Sequence, residues 1–264
     1  MDTTGYQTLA LHRDGAVLTL TLDRPEVMNA ANAQLEMELC RFFTEVSHDA
    51  QVRVVVVTGQ GKAFSAGGDF AYIGEMMEHP ERFLDAMPYS KRLIFSMLDC
   101  SKPVIAKING HAMGLGATLA LFCDVSFAAD HVRIADPHVP IGFVAGDGGA
   151  VIWPQLIGYN RAKEYLFTGE ALLAPDAERL GLINHAVPAA ELDARVRAYA
   201  GKVAAMPARA VQWTKASINI GLKQLAHSIM DASIAYEALS NATHDHREAM
   251  DALRDKRKPQ FTGN

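Results

Sequence analysis

Residues 52–59 read VRVVVVTG, and QGKAFSAGGDF follows at once over 60–70. A run of β-branched residues with no polar alternation is the mark of a strand covered on both faces. The order returns downstream: the strand-like PVIAKING of 103–110, a small-residue helix over 115–122, then CDVSFAA at 123–129. A polar helical stretch around 80–99 lies between the two. Strands alternating with helices predict an α/β architecture. Upstream, residues 8–12 and 16–23 alternate on either side of Arg13-Asp14-Gly15, and Asp-Gly between β-rich runs is a hairpin signal. Asn32 is the expected cap of AQLEMELCRFFTEVSHD, whose Leu35, Met37, Leu39, Phe42, Phe43 and Val46 recur largely at helical spacing.

Beyond a Gly- and Pro-rich segment at 136–149 the pattern changes, and almost everything reads as helix. Pro188 and Pro207 stand where first helical turns are expected. Residues 225–254 read as one long amphipathic helix. The division that follows is a core over 1–200 and a helical C-terminal region over 201–264, the latter expected to serve oligomerisation.

Composition bounds the function. At 264 residues the chain makes one large domain or two modest ones. With 49% hydrophobic and 21% charged residues it is an ordinary globular composition, which excludes wholesale disorder. A net charge of −5 offers no global field for nucleic acid or an anionic membrane, so neither is an expected partner. The apolar runs are far shorter than the ~20 residues that span a bilayer. Three well-separated cysteines, Cys40, Cys100 and Cys123, favour free thiols in a reducing cytoplasm. No signal peptide is apparent at the start, and the expected location is cytoplasmic.

Two loops carry the chemistry. AFSAGGDF (63–70) follows the buried strand, and its Gly pair lets backbone N–H groups converge on a ligand; the same Gly pair also suits a plain strand-to-helix turn. NGHAMGLGAT (109–118) again joins strand to helix, where unpaired N–H donors suit a phosphate or a developing oxyanion. GLGATL lacks the third glycine of a dinucleotide fingerprint, which argues against a Rossmann site. His244 and His246 are two apart on a helix and face different sides, so no metal site is expected there or elsewhere.

Taken together with RPEVMNA (24–30) and the GDGG of 146–149, these segments resemble, in order and spacing, the crotonase (enoyl-CoA hydratase/isomerase) superfamily. The resemblance runs over nearly the whole chain, to KRKPQFTGN at 256–264. It implies a spiral of ββα units with a helical C-terminal region, a homotrimer or dimer of trimers, and an acyl-CoA substrate with CoA as its only cofactor-like part. By position it assigns an oxyanion hole to the N–H groups of Gly68 and Leu115, each worth ~3 kcal/mol to a developing enolate. Met28, Ala30, Ala66, Asp69 and Phe70 match its CoA-lining positions.

The two glutamates of the family's hydratases are absent: Thr118 stands in place of the first and His138 of the second. Syn hydration by two glutamates therefore cannot run as written. His138 and Asp147, nine residues apart across a Gly-rich turn, form the expected acid/base dyad in their place, with Asp147 the one nearby carboxylate to orient the ring. The plainer alternative is a structural histidine and a helix-capping aspartate. The stretch at 136–158 also resembles the β-diketone hydrolases of the superfamily, which carry a further histidine where this chain has Gly116. Carbon–carbon bond hydrolysis of a diketone and a non-catalytic CoA-binding role are thus the alternatives.

Overall fold

The structure, a computed structural model, describes residues 5–264. Residues 1–4, where the N-terminal reading begins, lie outside the described residues. The expected hairpin forms: β1 (Leu9–Asp14) runs antiparallel to β2 (Val17–Leu22). α1 (Ala33–His48) follows, with the Asn32 side chain accepting from the Leu35 N–H at 3.0 Å. The valine run becomes β3 (Val54–Gly59), buried throughout, and Ala63–Ser65 forms the short β4.

Two helices, α2 (Phe70–Glu78) and α3 (Pro80–Asp99), complete that turn of the chain. The next turn is β5 (Val104–Ile108), β6 (His111–Met113) and α4 (Leu115–Leu121). A third is β7 (Val125–Ala129), β8 (Arg133–Ala135) and α5 (Gly149–Ile157). In each, the first strand joins one sheet and the second joins the other. The larger sheet has the order β1-β2-β3-β5-β7-β10, all parallel beyond the hairpin, and the smaller has the order β4-β6-β8-β9. This is the expected spiral of ββα units. Because each second strand begins within a few residues of the first, the two sheets meet at the strand-to-helix loops, and the shared parallel direction brings those loops together.

After α5 come α6 (Tyr159–Thr168), β9 (Leu172–Leu173), α7 (Ala174–Leu180), β10 (His185–Val187) and α8 (Leu192–Ala204). The two short strands correct the all-helical reading of this half. Each is too brief to show a period of its own and forms because a sheet edge is there to receive it. Pro188 and Pro207 fall at helix caps, one residue before the first turns.

The C-terminal helix is two helices, α9 (Ala208–Asn241) and α10 (His244–Arg254). Thr243 divides them, its hydroxyl accepting from the His246 N–H at 3.2 Å. α9 packs along α3, and its Ala226, Met230 and Ile234 join the main core with the sheet valines. Among the described residues, no helix is long and apolar enough to cross a membrane.

Candidate active site

The two Gly-bearing loops meet beneath the first turn of α4. Gly67 has φ +91, and a Cβ there would stand 2.8 Å from the Met113 carbonyl oxygen, so glycine is what allows the approach. A backbone bridge pins the first loop: the Ala31 N–H donates to the Gly67 oxygen at 2.6 Å, and the Asp69 N–H to the Ala31 oxygen at 2.8 Å. The bridge passes over Gly68, and its N–H, like that of Leu115, has no acceptor among the described residues. Gly67, Gly68, Gly114, Leu115 and His138 line one cavity of about 120 Å³. The ring is near enough that a Cβ on Gly114 would touch its Cε1 at 3.5 Å.

The predicted CoA positions divide. Ala66 and Phe70 line the cavity, with Phe70 56% exposed at its mouth. Asp69 accepts from the Ala71 N–H at 3.0 Å as the cap of α2 and pairs with Arg24 at 3.0 Å. Met28 is 59% exposed on the adjoining turn, while Ala30 is buried, its carbonyl held by Arg24. Neither residue reaches the cavity, but both belong to the turn laced to the first loop, since the Ala66 N–H donates to the Met28 oxygen at 3.0 Å.

His138 and Asp147 are together, with Nε2 and Oδ2 3.6 Å apart. Asp147 also caps: its Oδ1 accepts from the Gly149 N–H at 3.3 Å and from the Thr118 hydroxyl at 3.2 Å. One oxygen of Asp147 thus serves the start of α5 and the other faces the ring. Thr118, which replaces a family glutamate, orients this carboxylate.

One expectation needs correction. Asp147 is not the one carboxylate that orients the ring, because Asp136 Oδ1 is in direct contact with Nδ1. The imidazole is held between two aspartates. The same two carboxylates act on its charge. Burial opposes its charge, yet the Asp136 and then the Asp147 carboxylates outweigh burial and lift it to about 10. At neutral pH it is an imidazolium, fitted to give a proton or to face a negative charge.

Asp136, His138 and Asp147 bring their donor atoms within 4.8 Å of one another, close enough to hold a cation. A cation held there would have to displace the ring proton that both carboxylates favour, because a metal takes the neutral imidazole.

Two further carboxyls face the same space, Glu36 from α1 and Glu237 from α9. Burial, then the Asp147 charge, raises Glu36 to about 7, and the same causes in the same order raise Glu237 well above the usual carboxylate range. Asp147 is raised by its own burial, with His138 pulling the other way. Asp136 was legible in Asp-Pro-His. The glutamates left a fainter signal, for each is an acid on an apolar helical face: Glu36 aligns with Cys40 and Phe43, Glu237 with Met230 and Ile234. His246 is a structural histidine, stacked on Phe143 with ring centroids 3.9 Å apart and its Nδ1 2.6 Å from the Ile141 oxygen.

Two interleaved sheets of ββα turns, with a helical C-terminal region across the loops, make this a crotonase-fold protein. The sequence model of the enoyl-CoA hydratase/isomerase family matches residues 12–264, and the chain belongs to that family. It is 34% identical to the crotonyl-CoA hydratase of Syntrophomonas wolfei over 97% of this chain and 98% of that one. It is 32% identical to the short-chain-enoyl-CoA hydratase of Clostridium acetobutylicum, over 94% and 95%. A crystal structure of an enoyl-CoA hydratase/isomerase from Mycobacterium paratuberculosis superposes with a TM-score of 0.89 at 36% identity, covering 96% of this chain and 99% of that chain. The protein is an enzyme of the hydratase/isomerase family.

Proposed function

We propose that the enzyme acts on an acyl-CoA thioester through an enolate, whose oxygen is bound by the N–H groups of Gly68 and Leu115. The observation that carries this reading is the presence of two backbone donors without a protein acceptor and of the His138 imidazole on one cavity. Donors fixed by the fold need no reorganisation when charge develops, which is what makes them effective. His138, held between Asp136 and Asp147, supplies or faces the proton at carbon. Glu237, whose carboxyl burial raises above the usual range, provides the matching acceptor. Met28, Ala30, Ala66, Asp69 and Phe70 mark the side from which CoA enters.

Thr118 and His138 replace the hydratase glutamates, so the proton route is His–Asp rather than Glu–Glu. Calorimetry with CoA and acetyl-CoA, without added metal, tests the reading, and binding is expected. Gly68→Pro, which removes one donor, is expected to lose most turnover while its circular dichroism stays that of the parent. Full turnover in a folded variant counts against the hole, and no binding of any acyl-CoA counts against the thioester.

Diketone hydrolysis is the second reading, favoured by the contact of His138 with Asp147. Against it, a Cβ at Gly116 would lie 2.6 Å from Ser65 Cβ, so the further histidine of those hydrolases has no room here. A homotrimer or dimer of trimers and a cytoplasmic setting complete the proposal, the first supported by apolar side chains left bare on α9 and the second by three free cysteines.

A further inference from the structure

The cavity has two unlike walls. Ile73, Met76, Phe83 and Phe143 pack as an apolar cluster on one side. The other carries Glu36, Ser90, Asp147 and Glu237. Glu36 has no part in the reaction outlined above. It is only 9% exposed, it shares its stretch of the cavity wall with Ser90, and with Tyr72 and Ala86 it also lines the outer groove, so it stands where groove and cavity join. Asp147, itself buried, keeps Oδ2 without a hydrogen-bond partner.

Four carboxylates against one imidazolium in so closed a space is not a charge state that persists. The relief is protonation, and a protonated carboxyl is a hydrogen-bond donor. A plain hydrocarbon chain laid along this wall strips these groups of partners and returns none. An acyl group ending in a carboxylate adds a further negative charge to those already crowded there. A neutral oxygen, keto or hydroxyl, accepts from Glu36, and a hydroxyl also donates to Asp147 Oδ2. The apolar wall holds the carbons between.

Building on the thioester reading, we propose that Glu36, with Ser90 on the same wall, is a specificity residue. It selects acyl groups that carry a neutral oxygen further along the chain than the carbons that react. Those carbons must face His138 and the Gly68 and Leu115 donors, which leaves Glu36 for the distal part.

The test compares hexanoyl-CoA with 4-oxohexanoyl-CoA and 5-oxohexanoyl-CoA by titration calorimetry, alongside CoA itself. The parent enzyme is expected to bind at least one oxo thioester about tenfold tighter than hexanoyl-CoA. Glu36→Gln, whose amide still donates, keeps that preference. Glu36→Met brings the ratio near one and leaves CoA affinity alone. Ser90→Ala, a gentler change, lowers the preference part of the way and serves if Glu36→Met does not fold. CoA binding with no preference in the parent, or a preference kept in both Glu36→Met and Ser90→Ala, overturns this inference and leaves the thioester reading standing. Absence of CoA binding overturns both.

Discussion

At the scale of single residues, the centre of the site is an ion-pair sandwich. Asp136 touches one ring nitrogen of His138, and Asp147 stands 3.6 Å from the other. Asp136→Asn removes the nearer charge, so the imidazole is expected to titrate at lower pH, and the alkaline limb of kcat/KM moves with it. Following the His138 ring proton by NMR across pH checks the first point, and an unmoved titration contradicts the sandwich. His138→Ala is expected to lose roughly 10²–10⁴-fold in turnover, and adding Asp147→Asn to it should cost little more, since groups acting as a unit are not additive. Glu36 makes a separate prediction about stability. Its folded pKa, about 7, lies above the ordinary glutamate value of 4.5, so its contribution is intact below about 4.5 and is lost as pH rises to about 7. The loss amounts to about 3 kcal/mol. Thermal melts should therefore show the Tm gap between Glu36→Met and the parent widening in favour of the variant from pH 4.5 to 7.5. A gap that stays constant with pH would mean Glu36 is not desolvated as described.

At the scale of elements, the segment that carries His138 and Asp147 is a loop held from outside by a helix. The Ser233 hydroxyl of α9 donates to the Gly146 oxygen at 2.8 Å, and the Val144 N–H donates to Ser240 Oγ at 3.2 Å. The fit is close: a Cβ on Gly146 would stand 2.5 Å from the Ser233 oxygen and 2.6 Å from Glu237 Oε2. Gly146→Ala must push α9 off the loop, which is expected to cost about 1–3 kcal/mol and to lower turnover as Asp147 drifts from His138. Measuring Tm and kcat together separates that outcome from a loop indifferent to α9, in which both would stay near the parent. This docking also marks the limit of what the sequence discloses. The strands around the valine run, the Asn32 cap and the two Gly loops are local patterns, and each formed where its pattern lay. β9 and β10 are two and three residues long and owe their form to the neighbouring strand. The division of the last helix rests on one hydroxyl, Thr243, in a stretch whose apolar period runs on without a breaker. Asp136 and His138 are neighbours in sequence, so their contact was legible. Glu36 and Glu237 come from helices some two hundred residues apart, and only the closed fold brings them to one cavity.

At the scale of the whole molecule, α9 has two tasks. Its inner face enters the core through Ala226, Met230 and Ile234 and carries Glu237 to the site. Its outer face leaves large apolar side chains bare, with Trp213 64% and Ile220 56% exposed and seven residues apart, hence on one side of the helix. Tyr236 and Leu239 are likewise exposed, three apart, near its other end. Apolar surface ordered along one helix is what association between copies would bury, and burial there is worth about 25 cal/mol for each Å² removed from water. The expectation is a trimer or a dimer of trimers, measured by light scattering at micromolar concentration. Trp213→Asp with Ile220→Asp places two charges in that surface and should yield a smaller species, with secondary structure unchanged. Because the same helix bears Glu237 and pins the loop at Gly146, the dissociated species should also turn over more slowly, while its CoA affinity stays close to the parent. A parent enzyme that is monomeric at that concentration removes the reason for the bare face. A dissociated variant with full activity would mean that α9 is stiff enough alone, and that assembly serves something other than the site.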